Sequence, residues 1–181
     1  MSGEAESTVD PERFRETCGR FGTGVTVLTT RLGSRVHGMT ANAFMSVSLD
    51  PPLVLVSVAR RARMNRLLAQ SGRFGVSVLR EDMRELALHF AGRPRRGLSV
   101  PFEERLEMPL IRGAVAQIVA RVVDIFEAGD HRLFLGRVEH LAAQDGPPLI
   151  FFGGRFETLA EAARDADSRL DAETGDEGMR P

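Results

Sequence analysis

GMTANAFMSVSLDPPLVLVSV, residues Gly38 to Val58, is the stretch on which the reading of this chain turns. Thr40, Asn42, Ser46 and Ser48 alternate with Ala41, Ala43, Met45, Val47 and Leu49, with the bulky Phe44 in between. A period of two is the signature of a half-buried strand, so one face packs on a core and the other offers hydroxyls and an amide. Pro51-Pro52 stops the strand, because proline brings no donor to a ladder. Leu53 opens a second strand, LVLVSV, whose nearly continuous apolar run predicts a central position. An edge of small polar residues suits a flat polar ligand that must approach the backbone. An ordinary amphipathic strand pair has the same pattern, and alternation alone does not separate the two.

A chain of 181 residues can bury one sizeable core. The net charge of -1 gives no global field to draw in nucleic acid or an anionic membrane. No apolar run reaches the roughly 18 residues of a membrane span. The opening MSGEAESTVD is acidic and polar, without the apolar segment of a secretion signal. A single cysteine, Cys18, excludes an internal disulfide and a thiolate metal cluster. These features predict a cytoplasmic protein.

Outward from the opening stretch, the chain divides into a flexible segment over residues 1–9, one domain over 10–159 and an acidic flexible tail over 160–181. Asp10-Pro11-Glu12 predicts a helix start, and Phe14, Cys18 and Phe21 then share an apolar face that reads as core. VTVLTT, residues 25–30, is strongly β-prone, and Gly33-Ser34 predicts a hairpin turn into the opening stretch. Beyond Val58, Met64, Leu67 and Leu68 have helical spacing, with Gly72 as the stop. Phe74 to Leu79 predicts a strand, and Glu81 to Phe90 a helix. Residues 91–101 form a basic loop long enough to suggest function or mobility. Two long strands meet at Gly129-Asp130, and 150–152 with 155–156 close the β portion. Seven or eight strands linked mostly by hairpins, with two or three short helices, predict an antiparallel barrel with flanking helices.

Chemistry concentrates at two places. Arg60, Arg61 and Arg63 gather at the start of a short helix, where cations oppose the helix dipole unless an anion sits among them. A solvated basic turn is the alternative. His131 follows Gly129-Asp130 at a hairpin tip, where it can meet a ligand or serve simply as a surface histidine. His37, His89, His131 and His140 have no metal-site spacing, and no carboxylate pair stands out as an acid–base couple.

The series RFGTGVTVLTT, HGMTANAFMSVSLDPPLVLVSV, GRFGVSVL, HFAG, EAGDHRLFLGRV and FFGGRF, spread in order over residues 12–158, resembles the short-chain flavin reductases, the reductase components of two-component flavin-dependent monooxygenases. The resemblance implies a mainly β, FMN-binding split β-barrel built as a homodimer. It implies FMN or FAD reduced by NADH or NADPH, with the reduced flavin released to a partner monooxygenase. It places Gly38, Met39, Thr40, Ala41, Asn42 and Ala43 along the ribityl chain and ring, and Ser57, Val58 and Ala59 beside them. Arg61 and Arg63 would hold the phosphate, Phe90 and Ala91 would complete the pocket, and His131 would be the catalytic position that meets the nicotinamide. Two departures stand out. Many relatives carry hydroxyl residues where this chain has Arg61-Ala62, and tyrosines where it has Phe151, Phe152 and Phe156.

Two other readings compete. One is a flavin-binding or electron-transfer barrel without nicotinamide turnover. The other is an interaction module that uses RRAR and GRPRRG on nucleic acid, which the near-zero net charge opposes.

Overall fold

The computed structural model describes residues 9–159. The predicted flexible start and acidic tail lie outside these residues, apart from Val9. The order of elements is α1 (Pro11–Cys18), β1 (Thr23–Gly24), β2 (Thr26–Leu32), β3 (Arg35–Ala41), β4 (Phe44–Leu49), β5 (Pro52–Ala59), α2 (Arg63–Ser71) and β6 (Arg73–Val78). A 3-10 turn over Glu81–Met83 leads into α3 (Arg84–Phe90), followed by β7 (Phe102–Arg105), β8 (Met108–Ile111), β9 (Ala116–Ala128), β10 (His131–Ala143), β11 (Ile150–Phe152) and β12 (Arg155–Glu157). No helix among the described residues is long and apolar enough to cross a membrane.

Seven strands form one antiparallel sheet in the order β3-β2-β6-β9-β10-β5-β4. A second sheet, β1-β11-β12, and the β7–β8 hairpin pack beside it. The two edge strands of the large sheet, β3 and β4, are consecutive in the chain, with only Asn42 and Ala43 between them. The sheet must therefore curl until its edges approach. The curl is visible in one buried cluster that joins Leu28 of β2, Phe74 and Val76 of β6, Ala120 of β9, Phe134 of β10 and Val54, Val56 and Val58 of β5. Met64 and Leu68 of α2 belong to the same cluster. A second cluster covers the other side of β2, where Val25 and Val27 meet Leu86 and Ala87 of α3, Ile111 and Leu149. Strands with both faces covered account for the β-branched run VTVLTT.

Local signals act as the sequence predicts in several places. Asp10 caps α1, its carboxylate accepting from the backbone N–H of Glu12 and Arg13 at 3.3 and 3.1 Å. Gly33, with φ 59°, turns β2 into β3, and Gly72, with φ 66°, ends α2. Gly129-Asp130 turns β9 into β10.

Four expectations need correction. The opening stretch is not one strand up to Leu49: it breaks at Asn42-Ala43, and a bulge at Val47 interrupts the alternation of Ser46 and Ser48. The run LVLVSV is paired on both sides, by β4 and β10, but only Val54, Val56 and Val58 are buried, so its burial alternates. Cys18 is exposed, not core, because no residue of α1 is buried; Phe21 lies past the end of that helix. Twelve strands lie among the described residues, more than the seven or eight expected, since the β7–β8 hairpin and the short β1 carry little sequence pattern.

Gly136 of β10 shows how tightly the curl is packed. A Cβ there would lie 2.6 Å from the Phe74 ring and 2.9 Å from the Ala120 methyl. Gly136→Ala should therefore destabilise the fold by roughly 1–3 kcal/mol through overpacking. Urea unfolding with an unchanged m-value is the check, and a neutral substitution would show that the sheet can give way there.

Candidate functional site

The curl leaves a split. The Ser57 N–H donates to the Ala43 carbonyl at 3.0 Å, so β5 lies against the β3–β4 junction. Further along, Arg63 stands close enough to His37 to disfavour its protonation. Segments 37–43 and 57–63 thus run beside one another, yet β3 and β5 share no ladder. Because β3 has a strand on one side only, every second residue keeps its N–H and C=O free on the other edge. Such an edge can recognise a flat polar ligand through backbone groups.

At the far end of β3 lies a cleft of about 200 Å³, lined by Val25, Thr40, Ala41, Asn42, Ala91, Phe151 and Phe156. It is mostly apolar, with Asn42 exposed among its walls. Its position depends on α3. The Thr40 hydroxyl donates to the Ala87 carbonyl at 2.7 Å, and the Phe90 ring lies on Gly38 so closely that a Cβ there would come within 2.4 Å of it. These contacts seat α3 on β3 and bring Ala91 to the cleft. Phe151 and Phe156 meet edge to face, with ring centroids 5.6 Å apart.

At the near end of β3 a second cavity of about 200 Å³ gathers Arg35, His37, Arg63, Arg66 and Gln70. Burial, and then the Arg63 guanidinium, hold the His37 pKa below its ordinary value. The N-cap of α2 is Ala62, whose methyl cannot satisfy the first-turn N–H groups. Three guanidiniums and an uncapped helix start form a donor set that fits a phosphate. His37 and Thr40 are three residues apart, so the phosphate-sized corner and the ring-sized cleft are separated by roughly 10 Å along the strand.

The structure brings together Thr40, Ala41, Asn42 and Ala91 at the cleft, and Gly38 with Phe90 behind it. It separates Arg61 from Arg63, since the charge of Arg61 acts on Asp130 at the β9–β10 turn. The Val58 side chain is buried in the core and its carbonyl accepts from the Asn65 amide at 3.0 Å, so its side chain takes no part in the site. His131 pairs with Ala59 across the β5–β10 ladder and lies 2.7 Å from the Asp130 carboxylate. That hydrogen bond, with the histidine's charge, holds the Asp130 carboxyl below its usual range. His131 is not among the residues that line the cleft of Asn42. Sequence reasoning did not bring Arg35, His37 and Arg66 together with Arg63 at this cationic corner. The spacing of Arg63 and Arg66, three apart on one helix face, was the available signal.

The chain belongs to the family of flavin reductase like domains, whose model matches residues 18–160. It is 46% identical over 167 residues to an NADH-dependent flavin reductase of a Rhodococcus species, covering 91% of this chain and 95% of that protein. It is 44% identical to the reductase component of 4-hydroxyphenylacetate 3-monooxygenase of Thermus thermophilus, covering 78% and 91% of the two chains. Among solved structures it matches the flavin reductase PheA2 with a TM-score of 0.81 at 46% identity, over 83% of this chain and 99% of that one. It also matches a Streptomyces globisporus NADH:FAD oxidoreductase in complex with NAD and FAD fragments, with a TM-score of 0.75 at 39% identity, over 83% and 95% of the chains.

If the corner of Arg63 and His37 takes the flavin phosphate, Arg63→Ala weakens FMN binding by roughly 1–3 kcal/mol, as for a lost charge-assisted hydrogen bond. Riboflavin, which lacks the phosphate, loses far less. Fluorescence titration with both flavins checks this, and equal losses would remove the phosphate from that corner.

Proposed function

We propose that the chain is a cytoplasmic NADH-dependent flavin reductase that passes reduced flavin to a separate monooxygenase component. The observation that carries this reading is the arrangement along β3, with a cationic corner at one end and an apolar cleft at the other, joined by an unpaired strand edge. Relatives named as NADH-dependent flavin reductases and as a monooxygenase reductase component support it. FMN and FAD both carry the phosphate and ring that these two ends suit.

When bound, the flavin supplies the hydride acceptor for the nicotinamide. The protein's own task is then to bind, orient and exclude water. Arg63, with Arg35 and Arg66, anchors the phosphate. The free backbone groups of β3 meet the polar edge of the ligand, where donors stabilise negative charge as it develops. Asn42 adds a side-chain contact, and Ala41, Ala43 and Ala91 let flat rings come close. Small residues on both sides of a split favour stacking of two rings at reacting distance, which is most of what hydride transfer demands. No dedicated acid–base pair is needed.

A homodimer completes this reading. The single chain leaves Met45 and Leu49 of β4, Leu141 of β10 and Phe14 of α1 exposed, at 55%, 96%, 69% and 62%. A partner subunit would give such side chains apolar surface to cover them. Light scattering at micromolar concentration should give twice the chain mass, and a fully active monomer would refute it.

His131 tests the catalytic part. Steady-state NADH oxidation with added FMN or FAD should proceed in the native protein. His131→Ala should raise KM for the nucleotide with little change in flavin affinity, and a further fall in kcat would add a role in the hydride step. Flavin binding without NADH oxidation would favour a non-catalytic carrier. Unchanged nucleotide kinetics in a folded His131→Ala protein would take His131 out of the site.

A further inference from the structure

Asn65 of α2 is only 2% exposed, and both ends of its amide are engaged with other elements. Its Nδ2 donates to the Val58 carbonyl near the end of β5, at 3.0 Å. Its Oδ1 accepts from Nη1 of Arg132 in β10, at 3.3 Å. Arg132 also donates through Nε to Glu127 across the β9–β10 ladder, at 2.6 Å. The other oxygen of Glu127 lies 3.5 Å from the Arg60 guanidinium, and the Arg60 backbone N–H donates to the Asp130 carbonyl at 2.8 Å. Segment 58–65 is thus tied at several points to the tip of the β9–β10 hairpin. His131 stands among those ties, next to Arg132 in the chain.

The tip depends on such ties. β6 pairs with β9 only as far as Arg121, so among the described residues the segment 123–128 has β10 as its one ladder partner. Asp130, which meets the His131 ring, sits on the turn itself and moves with it. Successive residues of a strand face opposite ways. Arg132 shares the side of its ladder partner Val58, where α2 lies, and His131 shares the side of its partner Ala59. A hold on Arg132 fixes the strand beneath His131 without touching its ring.

We propose that Asn65 is a positioning residue for His131, acting through Arg132. The inference rests on the flavin reductase reading, in which His131 meets the nucleotide. An amide suits this place because it must donate to a carbonyl and accept from a guanidinium at once. A leucine of similar size does neither. A small displacement of a group that orients a reactant is costly, and side chains locked by burial prevent it. A buried amide that only braced α2 against β5 would contribute to stability without any particular link to His131.

The test is a double-mutant cycle in the full chain, with FMN as acceptor. Where His131 is present, Asn65→Leu should raise KM for NADH roughly fivefold, the effect of one lost hydrogen bond. In a His131→Ala background the same substitution should add less than about twofold, because its effect passes through that ring. FMN affinity by fluorescence should also change by less than about twofold, although Asn65 is two residues from Arg63. Arg132→Met breaks the tie from the other side and should repeat the pattern; it carries the cycle alone should Asn65→Leu not fold. Equal rises in both backgrounds, no rise where His131 is present, or a loss of FMN affinity as large as the KM effect would overturn the proposal. If His131→Ala by itself changes nothing, or the native protein oxidises no NADH, the nucleotide role of His131 fails separately. Amide hydrogen exchange then decides the tie. The Arg60 N–H, bound to the Asp130 carbonyl, should exchange roughly tenfold faster in the variants, with the amides of Val76 and Val119 in the β6–β9 ladder unchanged. Unchanged exchange at Arg60 would refute it.

Discussion

Two residues, Asn42 and Ala43, separate strands that stand at opposite edges of a seven-stranded sheet. That covalent constraint organises the molecule. A sheet whose ends are joined so closely must roll up, and the roll brings β2 and β5 into one buried cluster although three strands lie between them. Full hydrogen-bonded closure does not follow. β5 touches the junction at Ala43 and then runs alongside β3 without a ladder, which leaves the split and the open strand edge. The same constraint that builds the core thus creates the unpaired backbone beside it.

The site inherits its shape from packing against that edge. Gly38 admits the Phe90 ring, and Thr40 ties its hydroxyl to the Ala87 carbonyl, so α3 is fixed on β3. Ala91 and the loop that follows are placed by those two contacts. On the other side α2 buries Met64 and Leu68, and this turns its uncapped first residue, Arg63, toward His37. Charge and apolar surface are therefore sorted along one strand, the guanidiniums at its start and the phenylalanines at its end. In the proposed reading this sorting would supply orientation, and the redox step itself needs little more from side chains.

Much of the architecture was legible because its signals are local. The Asp10 cap, the Gly33 turn, the αL stop at Gly72 and the long β9–β10 hairpin depend on neighbours within a few residues. The β7–β8 hairpin was not legible, for its strands have four residues each and its turn places Leu106 and Glu107 at positive φ, without the glycine that would announce it. The reading of Cys18 as core failed because an amphipathic face says that a helix can be buried, not that something covers it. At the site, Thr40, Ala41, Asn42 and Ala91 converge, while Arg61 and Arg63 diverge onto Asp130 and His37. Two residues apart at a helix entry, side chains leave in different directions, and no spacing rule says which of them meets a distant strand.

By itself the sequence determined the alternation of strands, the turn positions, the family and the small-residue edge from Gly38 to Ala43, because each is written in residue type and short-range order. The tertiary structure decided where the opening stretch breaks, which arginine faces His37, and that Arg35 and Arg66 join them at one cationic corner. It also decided that Asn65 of α2 reaches Arg132, the neighbour of His131. These are meetings of segments tens of residues apart, and they exist only once the sheet has curled and both helices have packed against it.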